Sequence, residues 1–459
     1  MKKFLVFLSA LSLLSIGVAS AQRYNAESIL KKIAASDEAV SDPKKAGKAS
    51  TWIARGDIYY QAAIAPVKAI YWGADAKVLN LNYGDGEEGK ITYSNNKEYT
   101  TLDYPSFTAY FRNNVVVAWT QKAFVVDSYI DAFKTAIDAY MQAYEIDFEY
   151  KKKIQLAFTE MLNFSRQMGN VYNELGHYKL SAESYSFAND IQHLELYPAA
   201  VDVELVYSAG YLHVINSQTD STSFAPGEKL LGEAVAEGYC EFEDKKEDMN
   251  DQDRGSIFYY MFHCAYSQSQ SNPAKMLDAK EALKAGLGRY PRNENIFDAL
   301  LQIYTSEEGI GDPLELLETA DENIKLDDKN VNAWYGRARI CYAASDYDNA
   351  IEAFAKVTTL EPTMFMAHYY LGVCYMQKAD AVYNGMKDDT YTDRASYDEA
   401  TGRLNGAYAL SIPHFEAAYE LKKTDRSTLS YLKQLCFRLR DDDAMMEKYT
   451  KYNELYDAL

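Results

Sequence analysis

Apolar residues recur every three or four positions through most of the chain beyond Asp127. That spacing places them on one face of a helix, so the pattern predicts a succession of amphipathic helices joined by short polar turns. The positions of the prolines agree with this prediction. Pro198, Pro291 and Pro362 follow apolar-periodic segments, where a helix should end, and Pro273 falls in a predicted first helical turn. The pattern therefore predicts an all-α chain.

The clearest segment is 331–362, VNAWYGRARICYAASDYDNAIEAFAKVTTLEP, which predicts a helix, a polar turn and a second helix. Its register restarts 34 residues after Trp334, at His368. The period, and the order of large aromatic, small residue, alanine, aromatic and proline, resemble the tetratricopeptide repeat (TPR). The residues that carry this resemblance are Trp334, Arg337–Ala338, Cys341, Ala350, Phe354 and Pro362, then His368, Leu371–Gly372 and Tyr375.

The resemblance implies a right-handed α-solenoid of about eight TPR-like helical hairpins spanning residues 22–459. Trp52 opens the first hairpin, and its second helix is expected far downstream, around Ala136 and Tyr140. The following hairpins open near Met168, Leu205, Tyr259, Phe297, Trp334, His368 and Leu429.

Small residues are expected where the two helices of a hairpin cross. Gly56, Gly169 and Gly372 on first helices are predicted to face Ala350 or its equivalents on second helices. A larger residue at such a crossing would overpack it.

Two segments interrupt the helical pattern. Segment 61–126 loses its helical period after Gly73 and alternates β-branched and aromatic residues around Asn95–Asn96 and Asn113–Asn114, which predicts one or two β-hairpins inserted in the first unit. Segment 380–408 is polar, and we expect it to extend both helices of the seventh hairpin into an arm.

The N-terminus has the features of a signal peptide at residues 1–21. Lys2 and Lys3 precede the apolar run 4–18, and Ala19-Ser20-Ala21 offers a small-residue cleavage site. We expect an exported protein, periplasmic or secreted, with no membrane span in the mature chain. An uncleaved N-terminal anchor is the alternative. No cysteine follows the cleavage site to carry a lipid.

The mature chain is strongly acidic. Removing Lys2 and Lys3 leaves 45 of the 47 basic residues against 67 acidic ones, a net charge of −22. Such a surface repels phosphate backbones and anionic lipids, so we expect no nucleic-acid partner and favour partners with basic or apolar anchors. The five cysteines are widely spaced without a CxxC pair and are expected to be buried thiols, although a disulfide stays open.

Catalytic motifs are missing from the sequence. It contains no HExxH, no GxSxG and no glycine-rich phosphate loop. Asp248 to Gly255 lacks the acidic spacing of a calcium loop, and adjacent His263 and Cys264 would point about 100° apart on a helix. We therefore expect no enzyme, no cofactor and no metal site. An enzyme would need the acidic cluster Asp85 to Glu88.

The candidate binding surface is a stripe of residues beside the buried face of the first helix in each hairpin. The resemblance implies that it lines the concave groove, where TPR proteins bind polypeptides. In the sixth and seventh hairpins the stripe consists of Asn332, Tyr335, Arg339 and Tyr342, then Met366, Tyr369, Val373 and Met376. The alternative is that these rings are buried between hairpins and expose only an edge.

These features together predict a non-enzymatic protein-protein interaction scaffold. The signal peptide and the long interrupted repeats resemble exported TPR proteins of Gram-negative bacteria, which implies a role in the cell envelope. A glycan-binding module of a nutrient-uptake or cell-wall system is the alternative, because tyrosine-rich grooves can stack sugars. The partner, the oligomeric state and the role of the insertions do not follow from these patterns.

Overall fold

The computed structural model describes residues 25–89, 91–122, 125–247, 249, 254–291, 293–307, 309–388 and 393–458. The predicted signal peptide at 1–21 lies outside these ranges. Within them the chain is mostly α-helical and carries one small sheet, which confirms the predicted fold class. The predicted right-handed twist stays a prediction.

Helices are numbered in chain order. They are α1 (Ala26–Ser41), α2 (Pro43–Ala46), α3 (Ala49–Ile64), α4 (Ala76–Tyr83), α5 (Tyr129–Ile146), α6 (Lys151–Glu174), α7 (Tyr178–Gln192), α8 (Val203–Asn216), α9 (Phe224–Ala236), α10 (Tyr239–Glu243), α11 (Ser256–Ser269), α12 (Lys275–Arg289), α13 (Glu294–Ser306), α14 (Leu317–Leu326), α15 (Val331–Ala343), α16 (Tyr347–Leu360), α17 (Phe365–Asp388), α18 (Arg394–Ala409), α19 (Ile412–Leu421), α20 (Arg426–Arg438) and α21 (Asp443–Asp457). Short 3-10 turns occupy Ala65–Val67, Phe148–Tyr150, Ser221–Ser223 and Pro313–Leu316.

The helices pair as antiparallel neighbours within two compact units, Met1–Phe242 and Glu243–Leu459. In the first unit α3 packs on α5, α6 on α7 and α8 on α9. In the second unit α11 packs on α12, α15 on α16, α17 on α19 and α20 on α21, while α13 contacts the turn that leads into α14. The α3–α5 pair confirms that the first hairpin is closed by a helix far downstream. One continuous array over 22–459 stays a prediction.

A five-stranded antiparallel sheet lies between α3 and α5 in the chain. Its strands are β1 (Glu87–Glu88), β2 (Thr92–Ser94), β3 (Lys97–Asp103), β4 (Phe107–Arg112) and β5 (Val115–Gln121), with β1, β3, β4 and β5 in that order and β2 also paired with β3. Asn95–Asn96 and Asn113–Asn114 form the two-residue turns, and all four have φ between 49° and 63°. Asparagine tolerates this left-handed region, which the tight turns of twisted hairpins require. The asparagine pairs therefore form the tight turns of β-hairpins, as the sequence predicts.

Helix α4 was not predicted, because the helical period is weak after Gly73. Asp75 caps it by accepting a hydrogen bond from Val78 N at 2.9 Å, and Leu79 is its one fully buried residue. A helix this short buries one apolar side chain, which is too few to produce a visible period. Helices α1 and α2, which precede the predicted first hairpin, were also missed.

The glycine crossings differ from the prediction. Gly56 faces the ring of Tyr140, Gly169 faces that of Tyr185, and Gly372 that of Phe415. The residue over each glycine is thus an aromatic ring and not an alanine. The physical reason is that a flat ring needs the space left by a missing Cβ in order to lie against the backbone of the facing helix.

Segment 380–408, predicted to be an arm, is occupied by the end of α17 and most of α18, with 389–392 outside the described residues. Ala400, Leu404 and Tyr408 of α18 are buried. The side chain of Arg438 on α20 lies 4.3 Å from the Tyr408 ring centroid, so this segment packs against the last hairpin through one face.

One buried and two half-buried histidines predict a loss of stability in mild acid. Burial lowers the pKa of His213, His263 and His414 below the ordinary value of 6.5. In the unfolded chain these histidines bind protons at a higher pH than in the folded chain. The free energy of unfolding is therefore unaffected by their protonation above pH 6.5 and decreases as the pH falls below that value. Buried Glu243 acts in the opposite direction, because burial raises its pKa.

We therefore expect His213→Gln to flatten the fall in unfolding free energy between pH 7 and pH 5, since the buried histidine is removed. Urea unfolding at several pH values measures this. His177→Gln, at an exposed position, is the control and should keep the wild-type slope. Identical slopes for all three proteins would contradict the prediction.

Candidate functional site

Helix α15 carries the first half of the predicted stripe. It begins after Asn330, whose side chain accepts a hydrogen bond from Ala333 N at 3.0 Å, and it ends before Ser345, which has φ 59°. Between these limits Ala338 and Cys341 are buried, which fixes the rotation of the helix. Asn332, Tyr335, Arg339 and Tyr342 then fall on a neighbouring face at 3-4-3 spacing.

The structure brings three of these residues to the junction of the fifth and sixth hairpins. Asn332 Nδ2 donates to a Glu294 carboxylate oxygen, and Arg339 Nη1 donates to Asp298 Oδ1 at 2.7 Å. The Arg339 guanidinium carbon lies 5.7 Å from the Tyr335 ring centroid, within cation–π range. The stripe of α15 is thus joined to α13 by side-chain contacts.

A cleft opens between α13 and α15 at this junction. Its free volume is about 70 Å³, and both Asn332 and Tyr335 line it. The remaining wall comes from α13 and α14, including Phe297, Asp298 and Asn323. The cleft therefore contains predicted stripe residues together with residues that the stripe pattern did not identify.

The rest of the stripe, from Tyr342 onward, is more deeply packed. The ring of Tyr342 lies 5.2 Å from that of Tyr370, and the ring of Tyr369 lies 5.6 Å from Tyr370 and 6.0 Å from Tyr431. These four tyrosines, from α15, α17 and α20, are half-buried and pack together. Tyr370 and Tyr431 were not predicted, because they belong to other helical faces and meet the stripe only in three dimensions.

The three remaining stripe residues, all on α17, have different environments. Val373 is buried, Met376 packs against the same core, and Met366 is exposed. The alternative reading of buried rings with exposed edges thus describes Tyr342 and Tyr369 better than an open groove does. Replacing either by alanine would remove core contacts, and so would replacing Tyr335, which packs on Phe354, so Met366 is the better surface probe.

The tyrosines of this surface are neutral hydrogen-bonding groups. Burial raises the pKa of Tyr335, Tyr342 and Tyr369, and for Tyr369 the neighbouring Tyr431 raises it further. A neutral phenol both donates and accepts. The surface can therefore hydrogen-bond a polypeptide backbone or another polar ligand at physiological pH.

No metal site is formed by the described residues, since no three His, Cys, Asp or Glu side chains among them are grouped to hold an ion. All five cysteines are buried, and burial raises the pKa of the Cys341, Cys374 and Cys436 thiols. Raised values keep these thiols protonated and unreactive. Among the described helices, none has the length and hydropathy needed to cross a bilayer.

Comparison with known proteins finds similarity only at the level of solved structures. No protein-family model matches the sequence, and no curated protein does. MamA is 16% identical with a TM-score of 0.30, over 42% of this chain and 95% of MamA. The C-terminal part of a TPR repeat-containing protein from Cytophaga hutchinsonii is 11% identical with a TM-score of 0.40, over 65% and 95% of the two chains. The human IFIT1 dimer with m7Gppp-AAAA is 13% identical with a TM-score of 0.31, over 69% and 67%.

These superpositions are too distant to transfer a site or a function. The assignment of a repeat architecture rests on the helices themselves. After the α15–α16 pair, α17 begins 34 residues beyond the start of α15 and repeats its register. In the architecture of its helical hairpins, this chain is similar to TPR-repeat proteins.

Proposed function

We propose that this protein is a non-enzymatic interaction scaffold of the bacterial cell envelope, which binds a polypeptide partner along the stripe of the sixth and seventh hairpins. The observation that carries the proposal is the cleft beside α15, because two residues of the predicted stripe, Asn332 and Tyr335, line it. The N-terminal sequence supports export, and the acidic composition supports a partner with basic or apolar anchors.

The packing of the rings favours a polypeptide over the glycan alternative. Sugars stack on open aromatic faces, whereas Tyr335 packs edge-on to Phe354 and also lies beside Arg339. Tyr342 and Tyr369 are likewise covered in part by neighbouring rings. Half-buried tyrosines of this kind, with a polar hydroxyl on an apolar ring, suit the hydrogen bonds and apolar contacts of a peptide segment.

The test is affinity capture of a partner by the mature protein from its own envelope fraction, identified by mass spectrometry. Tyr335→Ala and Met366→Ala should each lower the captured amount about fivefold or more, as expected for anchor positions of an interface. Because Met366 is exposed, its substitution should leave the melting temperature almost unchanged.

Leu326→Ala is the matched control, since Leu326 is an exposed apolar residue of α14 outside the stripe. It should capture the partner as well as the wild type does. Capture that is independent of Tyr335 and Met366 would contradict the proposal. Saturable heat on titration with oligosaccharides, abolished by Tyr335→Ala, would instead favour the glycan alternative.

A further inference from the structure

The cleft beside α15 has a lining of unusual polarity. Two aromatic side chains, Phe297 and Tyr335, contribute its apolar surface, together with Pro291, Ala320 and Ala333. Its polar lining consists of Asn293, Glu294, Asp298, Asn323, Asn330 and Asn332. Its free volume of about 70 Å³ equals that of two or three water molecules, which is the scale of one side-chain head group.

The orientation of both asparagine amides is determined by their partners. Asn323 Nδ2 donates to Pro291 O at 2.8 Å, and Asn332 Nδ2 donates to the Glu294 carboxylate. A carbonyl and a carboxylate only accept hydrogen bonds, so neither amide can be reversed. Each asparagine therefore keeps its Oδ1 atom as an acceptor.

Asp298 adds a charged acceptor. Its Oδ1 atom receives a hydrogen bond from Arg339, and its side chain is 57% exposed. Over the part of the chain that the structure describes, no donor contacts Asp298 Oδ2, Asn323 Oδ1 or Asn332 Oδ1. Three oxygen atoms of the polar lining are thus open to a donor from a ligand.

The surrounding charge has the sign that matches a cationic donor. Between Pro291 and Asn330, which both line the cleft, the sequence contains eleven acidic residues and three basic ones, Arg292, Lys325 and Lys329. Among the described residues of this segment, Asp298 is paired with Arg339, Glu315 with Lys284 and Asp321 with Arg337. The fifth hairpin therefore raises the local concentration of cations at the mouth of the cleft.

We propose that this cleft binds an arginine side chain of the polypeptide partner. A guanidinium group has five donors in one plane and no acceptor, which fits three acceptor oxygens. Its flat shape and its alkyl stem suit a cleft bordered by the rings of Phe297 and Tyr335. This inference rests on the proposed function, because it specifies the chemistry of one anchor in the partner.

The test is titration of the full-length protein with N-acetyl-arginine amide and with N-acetyl-citrulline amide at 0.15 M salt. Citrulline has nearly the same shape but carries a neutral urea group. The arginine probe should bind about tenfold more tightly or better, since charge-assisted hydrogen bonds are lost with citrulline. Equal affinities for the two probes would overturn the inference.

Two cleft variants and one matched control locate the binding. Asp298→Asn and Asn332→Ala should each weaken the arginine probe about fivefold or more. Glu322→Gln removes the same charge from the same hairpin at an exposed position that does not line the cleft, and it should change the affinity less than twofold at this screening. Equal weakening by Asp298→Asn and Glu322→Gln would overturn the inference, because it would show that the probe is held by diffuse electrostatic attraction and not by the cleft.

The two proposals can fail separately. If partner capture depends on Tyr335 and Met366 while arginine and citrulline bind alike, the arginine cleft is wrong and the scaffold stands. If the arginine probe binds selectively while no captured polypeptide depends on the stripe, the cleft is supported and the proposed scaffold fails.

Discussion

Replacing Glu174 by glutamine is expected to destabilise the first unit by about 3 kcal/mol. Glu174 closes α6, and its carboxylate accepts hydrogen bonds from Lys97 and Arg112, both at 2.8 Å, and from Tyr99 OH at 2.9 Å. The carboxylate is 10% exposed, whereas the two cations are each 39% exposed. The estimate is therefore at the low end for a broken buried ion pair, because water still solvates the cations in part.

The same residue holds the sheet to the second hairpin. Ser94 Oγ donates to Leu175 O at 2.5 Å, next to the Glu174 contacts, so the tip of the β2–β3 turn docks on the end of α6. Losing the central charge leaves Lys97 and Arg112 facing each other without an anion. We expect this turn to be cut faster by protease in Glu174→Gln than in the wild type.

Urea unfolding followed by circular dichroism measures the change in free energy. Glu27→Gln is the control, because the Glu27–Lys31 pair is 78% and 76% exposed and such pairs contribute roughly 0.5 kcal/mol or less. Equal losses in the two variants would mean that the Glu174 network is a surface feature and does not join the sheet to α6.

Replacing Gly56 by alanine is expected to cost about 2 kcal/mol through overpacking of the α3–α5 crossing. A Cβ at this position would lie 2.5 Å from Tyr140 Cε1, far inside van der Waals contact. The ring cannot move away easily, because Tyr140 is buried and its hydroxyl donates to Asp57 at 2.8 Å. The expected result is a lower urea midpoint with an unchanged slope.

Gly232→Ala is the matched control in the same unit. Gly232 also lies within a helix, α9, but a Cβ there would meet no atom within 4 Å. Alanine should then stabilise the helix by up to about 1 kcal/mol, since glycine is the poorer helix former. Changes of the same sign in both variants would show that helix propensity, and not the crossing, governs the effect at Gly56.

Local patterns were sufficient where one element is specified by its own residues. The asparagine pairs of the sheet predicted tight turns, because their left-handed backbone needs no help from distant residues. The 34-residue register predicted the α15–α16 pair and the start of α17. It also predicted that α5 closes the first hairpin, since an insertion lengthens a connection without altering the faces that pack.

Local patterns failed where the partner residue comes from elsewhere. The rings over Gly56 and Gly372 were missed because a repeat pattern specifies that a site is small and not what fills it. In the candidate site, Asn332 and Tyr335 were predicted, but Phe297 and Asn323 belong to α13 and α14, and no spacing within α15 refers to them.

The amino-acid sequence by itself determined the helical hairpins, the inserted sheet with its turns, and the acidic charge, because each follows from residue type and short-range spacing. Only the tertiary structure decided which stripe residues are accessible and which oxygens meet in the cleft. Burial and hydrogen bonding between α13, α14 and α15 depend on how the helices pack against each other. A rotation of α15 by about 100° about its axis would exchange a core ring for a surface one without changing the repeat.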